Sequence, residues 1–405
     1  MTTLRYTTAG ESHGPALTGI LEGLPAGLAL SKERIDAELI RRQGGYGRGG
    51  RMQIETDLVD ITAGMRAGRT LGSPLALVLK NADATIEELP VPGNARPGHA
   101  DLAGSQKFGE LDTRAVLERA SARETAIRVA LAGAARQLIE HFGVRVFGHV
   151  VELGGERFAP SDVRGDAQGD GLGDAELPPV DEREQRRDAS QFYSLFPERD
   201  EAFIAKVDAA KEAGDTLGGV FEVRAWGLPP GLGSHASGPE RLTSRLAGAL
   251  MSIPAMKGVE FGLGFEAARR PGSRVHDAID PAEASDSADG SDPVASPNGR
   301  FRRRTNNAGG LEGGMTTGEE LVVRVAMKPI STLRRGLDTV DFETNETVRA
   351  TYQRSDVTAA PAASVVGEAL VAFELARAWR EKFGGDAMSQ VTAAVEFYRE
   401  QLRSL

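Results

Sequence analysis

Residues 306–332 read NNAGGLEGGMTTGEELVVRVAMKPIST. Two glycine pairs, Gly309-Gly310 and Gly313-Gly314, are followed by Gly318. Glycine allows positive φ and lets the backbone lie directly against another group. Residues 321–327, with Val322, Val323 and Val325, have the composition of a buried β-strand. Lys328, Pro329, Ile330, Ser331 and Thr332 then supply one cation and two hydroxyls around a fixed proline. Loop, strand and donor cluster together predict one wall of a pocket for an anionic, planar ligand. The plainer alternative is a glycine-rich turn in a surface hairpin.

Working outward, the same alternation of short strands and helices recurs. Residues 4–8 and 16–21 read as strands around Gly10-Glu11-Ser12-His13-Gly14. Ser31 is placed to cap a helix over 32–42, with Ile35 and Leu39 on one face. Residues 73–80 are β-rich. Ser121 and Glu124 have capping-box spacing ahead of a helix to about Phe142, which Gly143 stops. Ala126, Ala130, Ala134 and Leu138 give that helix a small-residue stripe, and Arg119, Arg123 and Arg128 surround its N-terminus, a natural anion site. Residues 14–28, GPALTGILEGLPAGL, are echoed at 218–232, GGVFEVRAWGLPPGL. In each, a strand enters GLPxGL and a helix follows, the second over 239–251 with Leu242, Leu246 and Leu250. This reads as an internal pseudo-repeat within one domain, 1–405. Helices over 365–382, apolar on one side, and 389–402 close the chain. Two stretches, 159–179 and 277–299, are rich in small, acidic and turn-forming residues and read as loose surface segments. Deleting 285–296 is accordingly expected to leave folding and turnover nearly intact.

The 405 residues are 40% hydrophobic and 26% charged, the balance of a globular chain that buries a large core. The net charge of −10 argues against nonspecific nucleic-acid binding. Cysteine is absent, which removes disulfides, thiolate nucleophiles and cysteine-based metal sites; no metal is expected. The first residues lack the apolar core of a secretory leader, and no apolar run is long enough to span a bilayer. A cytoplasmic location without membrane contact is therefore expected. Of 48 basic residues, 40 are arginine and many fall in glycine-rich loops. The planar guanidinium fork suits carboxylate and phosphate. Gly45, Gly47 and Gly50 match G-x-G-x-x-G, but they follow a helix where a dinucleotide fingerprint needs a strand.

Six histidines make each position informative. His13 and His99 lie in short glycine-containing polar motifs, where loops carry function. His141 sits at a helix end and His149 in a strand-like run, while His235 and His276 have loop contexts. Gly10 to Gly14 also fits G-x-S-x-G. That permits a serine hydrolase built on Ser12, His99 and Asp356, although the helix that should follow the elbow is missing.

Taken together, GESHG (10–14), GYGRG (45–49), RPGHAD (96–101), ERASARET (118–125), NNAGGLEGG (306–314), KPIST (328–332) and QRSD (353–356) closely resemble the chorismate synthase family, in the family's order. The resemblance implies an α+β fold with antiparallel sheets packed around a central helical layer, and a homotetramer. It implies anti-1,4-elimination of phosphate from 5-enolpyruvylshikimate 3-phosphate with reduced FMN, without net redox change. The flavin would lend electron density as phosphate leaves and recover it as the proton departs. By similarity, flavin contacts fall on Arg119, Ala120, Ser121, Pro254, Ala255, Gly313, Lys328, Pro329, Ile330, Ser331, Thr332 and Arg354. Pro254 stands where the family often has Gln. Arg42 and Arg48 match positions assigned to NADPH, and with Ser12, Arg123 and Arg128 they are equally candidates for the anionic substrate. His99 suits protonation of the departing phosphate, Asp356 removal of the carbon-bound proton through the flavin, and His13 the protonation state of the flavin.

Overall fold

The computed structural model describes residues 3–49, 55–109, 112–158, 177–281, 301–352 and 356–404. Arg51, Gln353, Arg354 and Ser355, and nearly all of the two loose segments, including 285–296, lie outside these residues. A first sheet contains β1 (Arg5–Ala9), β2 (Ala16–Glu22), β3 (Asp60–Ala63) and β4 (Leu75–Lys80), in the order β1-β2-β4-β3. A second contains β5 (Arg145–Leu153), β6 (Glu156–Arg157), β7 (Gly219–Trp226), β8 (Met256–Phe261) and β9 (Leu321–Met327), in the order β8-β9-β7-β5-β6. Every pairing in both sheets is antiparallel. The helices are α1 (Lys32–Gln43), α2 (Asp101–Phe108), α3 (Thr113–Ala120), α4 (Thr125–Glu140), α5 (Val180–Ala189), α6 (Asp200–Glu212), α7 (Leu242–Met251), α8 (Ala360–Phe383) and α9 (Met388–Ser404).

Alternation decides which side of the first sheet is buried, whereas the central strands of the second are buried on both faces. In β2, Leu17, Gly19 and Leu21 are buried, and in β4, Leu75, Leu77 and Leu79. That face carries α4, whose Ile127 and Leu131 close over Gly19 so tightly that a Cβ there would stand 2.8 Å from Ile127 and 2.7 Å from Leu131. On the second sheet, Val146, Val150, Phe221, Val223, Val323 and Val325 are buried, and α8 packs against β5 and β7. Helices α4 and α8 pack on each other, so two helical faces meet between two sheets. The buried apolar side chains form one continuous cluster through both sheets.

The sheets share a plan. With the two-residue β6 at the far edge of the second sheet set aside, in each sheet the first two strands pair, a helix (α1 or α7) follows the second strand, and a third strand forms the edge. The fourth strand inserts between the second and third and leads into the central helix, α4 or α8. The echoed GLPxGL turns sit at the same point of each plan, with positive φ at Gly23, Gly27, Gly227 and Gly231.

Several expectations are refined. Ser31 caps α1 as read, accepting from the Arg34 N–H. Ser121 accepts from Arg123 rather than Glu124, and the Glu124 carboxylate turns away to Thr8 and Arg128, so the capping box does not form. Ser121 instead separates α3 from α4 in extended geometry. Helix α8 starts at Ala360, with Pro361 in its first turn, and is buried on nearly every side rather than one. The glycines of 309–314 mostly serve the protein's own backbone. A Cβ at Gly309 would stand 2.4 Å from Gly262 N, and one at Gly310 2.6 Å from Glu320 O. Gly313 alone of the four faces open space. It precedes β9 while 328–332 follow it, so the two features lie at opposite ends of a strand roughly 20 Å long rather than in one wall.

Candidate active site

The 10–14 loop joins β1 to β2, and two buried side chains hold it. Asn81, just after β4, donates through Nδ2 to the carbonyls of Gly14 (2.7 Å) and Glu11 (3.2 Å). Glu118 of α3 accepts from the His13 backbone N–H at 2.8 Å and lies 2.9 Å from His13 Nδ1. Its main-chain carbonyl takes the Ser12 N–H at 3.1 Å. Burial alone would raise the Glu118 carboxyl, but the bonds from His13 and Arg114 outweigh it and hold it below the usual range. Asp83 stands 3.8 Å from His13 Nε2.

Asn81 continues the network. Its Oδ1 accepts from Arg123 Nε at 2.9 Å, and Arg123 Nη1 reaches Asp57 at 2.5 Å. Asp57 also lies 3.6 Å from Arg42, whose guanidinium donates to Thr125 Oγ1 and the Ala122 carbonyl. Arg42 and Arg123 are almost fully buried; among the described residues Arg42 Nη1 and Arg123 Nη2 make no hydrogen bond, but each is ion-paired at 3.6 Å, with Asp57 and Glu55 respectively. Burial first, with Arg48 and Arg123 adding and Asp57 opposing, pushes the Arg42 pKa down to about 10. Arg48 pairs with Asp356 at 2.8 Å, and the Gly49 N–H donates to the same carboxylate at 2.6 Å. Val357 bonds to Gly47 on one side and Leu217 on the other, tying this corner to β7.

His99 belongs to a third group. Its Nδ1 lies 2.5 Å from Asp101 Oδ1, and Arg96 binds the same carboxylate through Nε at 2.8 Å. Arg96 Nη1 donates to Thr332 Oγ1 at 3.2 Å, joining RPGHAD to the segment 328–332. The Lys328 N–H donates to the carbonyl of Ala255, which adopts a φ of 73°, so Pro254-Ala255 borders the same segment. The Lys328 ammonium bonds the Pro329 carbonyl at 3.3 Å; burial first, then Lys257, lowers its pKa. Arg119 donates to the carbonyls of Thr8 and Gly10, and Arg128 joins Glu124 to Ser252, next to Pro254.

The structure thus connects Ser12, His13, Arg42 and Arg123 through one buried network, and places the Arg48–Asp356 pair near enough to act on the charge of Arg42. It connects His99, Thr332, Lys328 and Ala255 through another, with Arg119, Ala120, Ser121 and Arg128 between them along α3 and α4. Pro329, Ile330 and Ser331 lie within the second group, and the Ile330 carbonyl accepts from Thr216. Gly313 is not brought to them, and Arg354 lies outside the described residues. The hydrolase constellation gains no support: His99 turns to Asp101 and Arg96, and Asp356 to Arg48 and Gly49. Sequence reading missed Asn81, Glu55, Asp57, Asp83, Arg96, Asp101 and Glu118 as site residues. Arg96, Asp101 and Glu118 stood inside quoted motifs; the others carried no local signal.

The family model for chorismate synthase matches residues 4–379. A chorismate synthase of Geobacter sulfurreducens is 48% identical over 413 residues, covering 99% of this chain and all of the relative. One of Thermus thermophilus is 50% identical over 414 residues with the same coverage. A crystal structure of chorismate synthase superposes with a TM-score of 0.78 at 41% identity, covering 100% of this chain and 99% of that one. Matches of this length and identity, on a chain whose motifs the fold gathers as described, place it without ambiguity: the chain belongs to the chorismate synthase family.

Proposed function

We propose that the chain catalyses anti-1,4-elimination of phosphate from 5-enolpyruvylshikimate 3-phosphate, giving chorismate, with reduced FMN and no net redox change. The observation that carries this reading is the gathering of three arginines, Arg42, Arg48 and Arg123, beside the His13 loop in a chain whose net charge is −10. A substrate with a phosphate and two carboxylates suits such a guanidinium cluster.

FMN fits the other group. Lys328 is a half-buried cation whose charge is disfavoured by burial and Lys257, and an anionic ligand would relieve it. The residues that would hold the flavin are Arg119, Ala120, Ser121, Pro254, Ala255 and 328–332, with Arg354. When bound, reduced FMN supplies electron density to the allylic system as phosphate departs. His99 then protonates the leaving oxygen, His13 on Glu118 governs protonation at the flavin edge, and Asp356 accepts the proton lost from carbon. NADPH is a possible reductant. A single domain, an internal duplication, a homotetramer and a cytoplasmic location complete the reading. The shared plan of the two sheets and the continuous core support the first two.

The test is anaerobic incubation with substrate and FMN. Phosphate should appear with dithionite-reduced FMN, should not appear with oxidised FMN, and should consume no stoichiometric reductant. Equal release with both forms would refute the role given to the flavin.

A further inference from the structure

Asp101 is the first residue of α2, and its carboxylate is almost wholly buried. It accepts from His99 Nδ1 (2.5 Å), Arg96 Nε (2.8 Å), Arg96 Nη2 (3.1 Å) and the Arg96 backbone N–H (3.1 Å). The same Arg96 Nη2 stands 3.0 Å from His99 Nδ1 and 3.4 Å from Nε2, so it flanks the Cε1 corner of the ring. His99 remains reachable, with 19% of its side chain exposed. A carboxylate on Nδ1 accepts the Nδ1–H and leaves Nε2 as the nitrogen that faces a reactant. The same carboxylate pairs with the Arg96 guanidinium beside the ring. Burial would raise the Asp101 carboxyl, but His99 and Arg96 hold it well below the usual carboxylate range, so it is an anion throughout the working pH range.

We infer that Asp101 is the positioning residue for His99: it accepts the hydrogen bond from Nδ1–H and pairs with Arg96, so that Nε2–H is aimed at the leaving phosphate. The inference rests on the proposed lyase reading. In the step, the carbon–oxygen bond breaks and its electron pair leaves with phosphate. The Nε2 proton goes to a phosphate oxygen, and His99 regains a proton from solvent.

The test uses the full chain with reduced FMN and compares Asp101→Asn, Asp101→Ala, His99→Ala and the double variant Asp101→Ala/His99→Ala. Asp101→Ala should lower kcat by roughly 100-fold, the range expected of a mispositioned general acid, with KM changed by no more than about twofold. Asp101→Asn keeps an acceptor for Nδ1–H without the charge and should recover part of that loss. Adding Asp101→Ala to His99→Ala should cost nothing further, because Asp101 acts through the ring. Independently of turnover, nitrogen-15 NMR of the folded protein should find His99 protonated at Nδ1 in the wild type, with that proton lost or shared in Asp101→Ala. A further drop in kcat on the His99→Ala background, or an unchanged ring in Asp101→Ala, would overturn the inference. Absence of phosphate release by the wild type would sink the lyase reading instead, and the NMR comparison would still decide the ring's tautomer.

Discussion

His149 carries a pH prediction of its own. It sits within β5, fully buried, with no hydrogen-bond partner for Nδ1 among the described residues and Nε2 3.7 Å from Glu222. Burial first, against the pull of Glu222 and with Arg224, Arg183 and Arg187 adding, pushes its pKa down to about 4. The folded value lies below the unfolded value of about 6.5, so the unfolded chain binds the proton first as pH falls. The stability contribution is therefore complete above about pH 6.5 and is lost as pH falls toward 4, roughly 3 kcal/mol in all. His149→Leu should flatten the dependence of the urea midpoint on pH across that window. An unchanged slope would assign the loss to another group. Ser12→Ala, by contrast, should retain most of its turnover, because the loop is held by the Ser12 N–H on Glu118 and by Asn81 on its neighbours. Abolished turnover together with a covalent Ser12 adduct on mass spectrometry would restore the hydrolase. At this scale the sequence was half legible. His13 and His99 stood out because histidine is rare and both lie among glycines. Glu118 lies 105 positions from His13, and Asp57 reaches Arg123 from 66 positions away, so their roles exist only once the chain has folded.

Among the elements, α1, α4, α5 and α8 meet at one buried carboxylate. Glu368 of α8 accepts from Arg41 of α1 (2.6 Å), Arg136 of α4 (2.5 Å) and the Gly148 N–H of β5 (2.8 Å), with Arg187 of α5 at 3.5 Å. Burial opposes its charge, but the three guanidiniums win and bring the Glu368 pKa to about 2. Glu38, on α1, is pushed up by burial and by Glu368. Glu368→Gln should cost about 3–5 kcal/mol, since it leaves buried guanidiniums without their anion. Glu38→Gln should cost clearly less, because it removes the carboxylate whose charge the site disfavours. Denaturant unfolding near neutral pH checks the order, and equal costs would contradict it. The Glu368 contribution is present above about pH 4.5 and fades as pH falls toward 2, a lower window than that of His149. Helices α1, α4 and α7 were readable from their periodicity, and α1 from its Ser31 cap as well. Helices α2 and α3 are each eight residues long, too short for a pattern to repeat, and went unseen. The one-sided expectation for α8 failed because a helix between α4 and the second sheet has no free side to mark with polar residues, and its Glu368 and Arg380 are buried by pairing.

For the molecule as a whole, the echo between 14–28 and 218–232 marked two equivalent corners, but the strand order that makes the halves equivalent was not legible. Which strand inserts between which others is a long-range choice, made when α4 and α8 close the core. That closure determines how the chain unfolds. Each sheet buries its inner face on a helix, and those helices bury their remaining faces on each other. Separating the halves would expose both apolar surfaces of the α4–α8 contact, which close packing leaves no room to hydrate piecemeal. Neither half should then persist alone. Calorimetry should give a single cooperative transition, with calorimetric and van't Hoff enthalpies in agreement per cooperative unit. Light scattering on the same sample should report four chains, and a monomer at working concentration would refute the homotetramer. Should the protein unfold in two resolved steps, or should residues 1–143 fold when expressed alone, the single-domain reading fails and the two equivalent plans are two domains joined at α4.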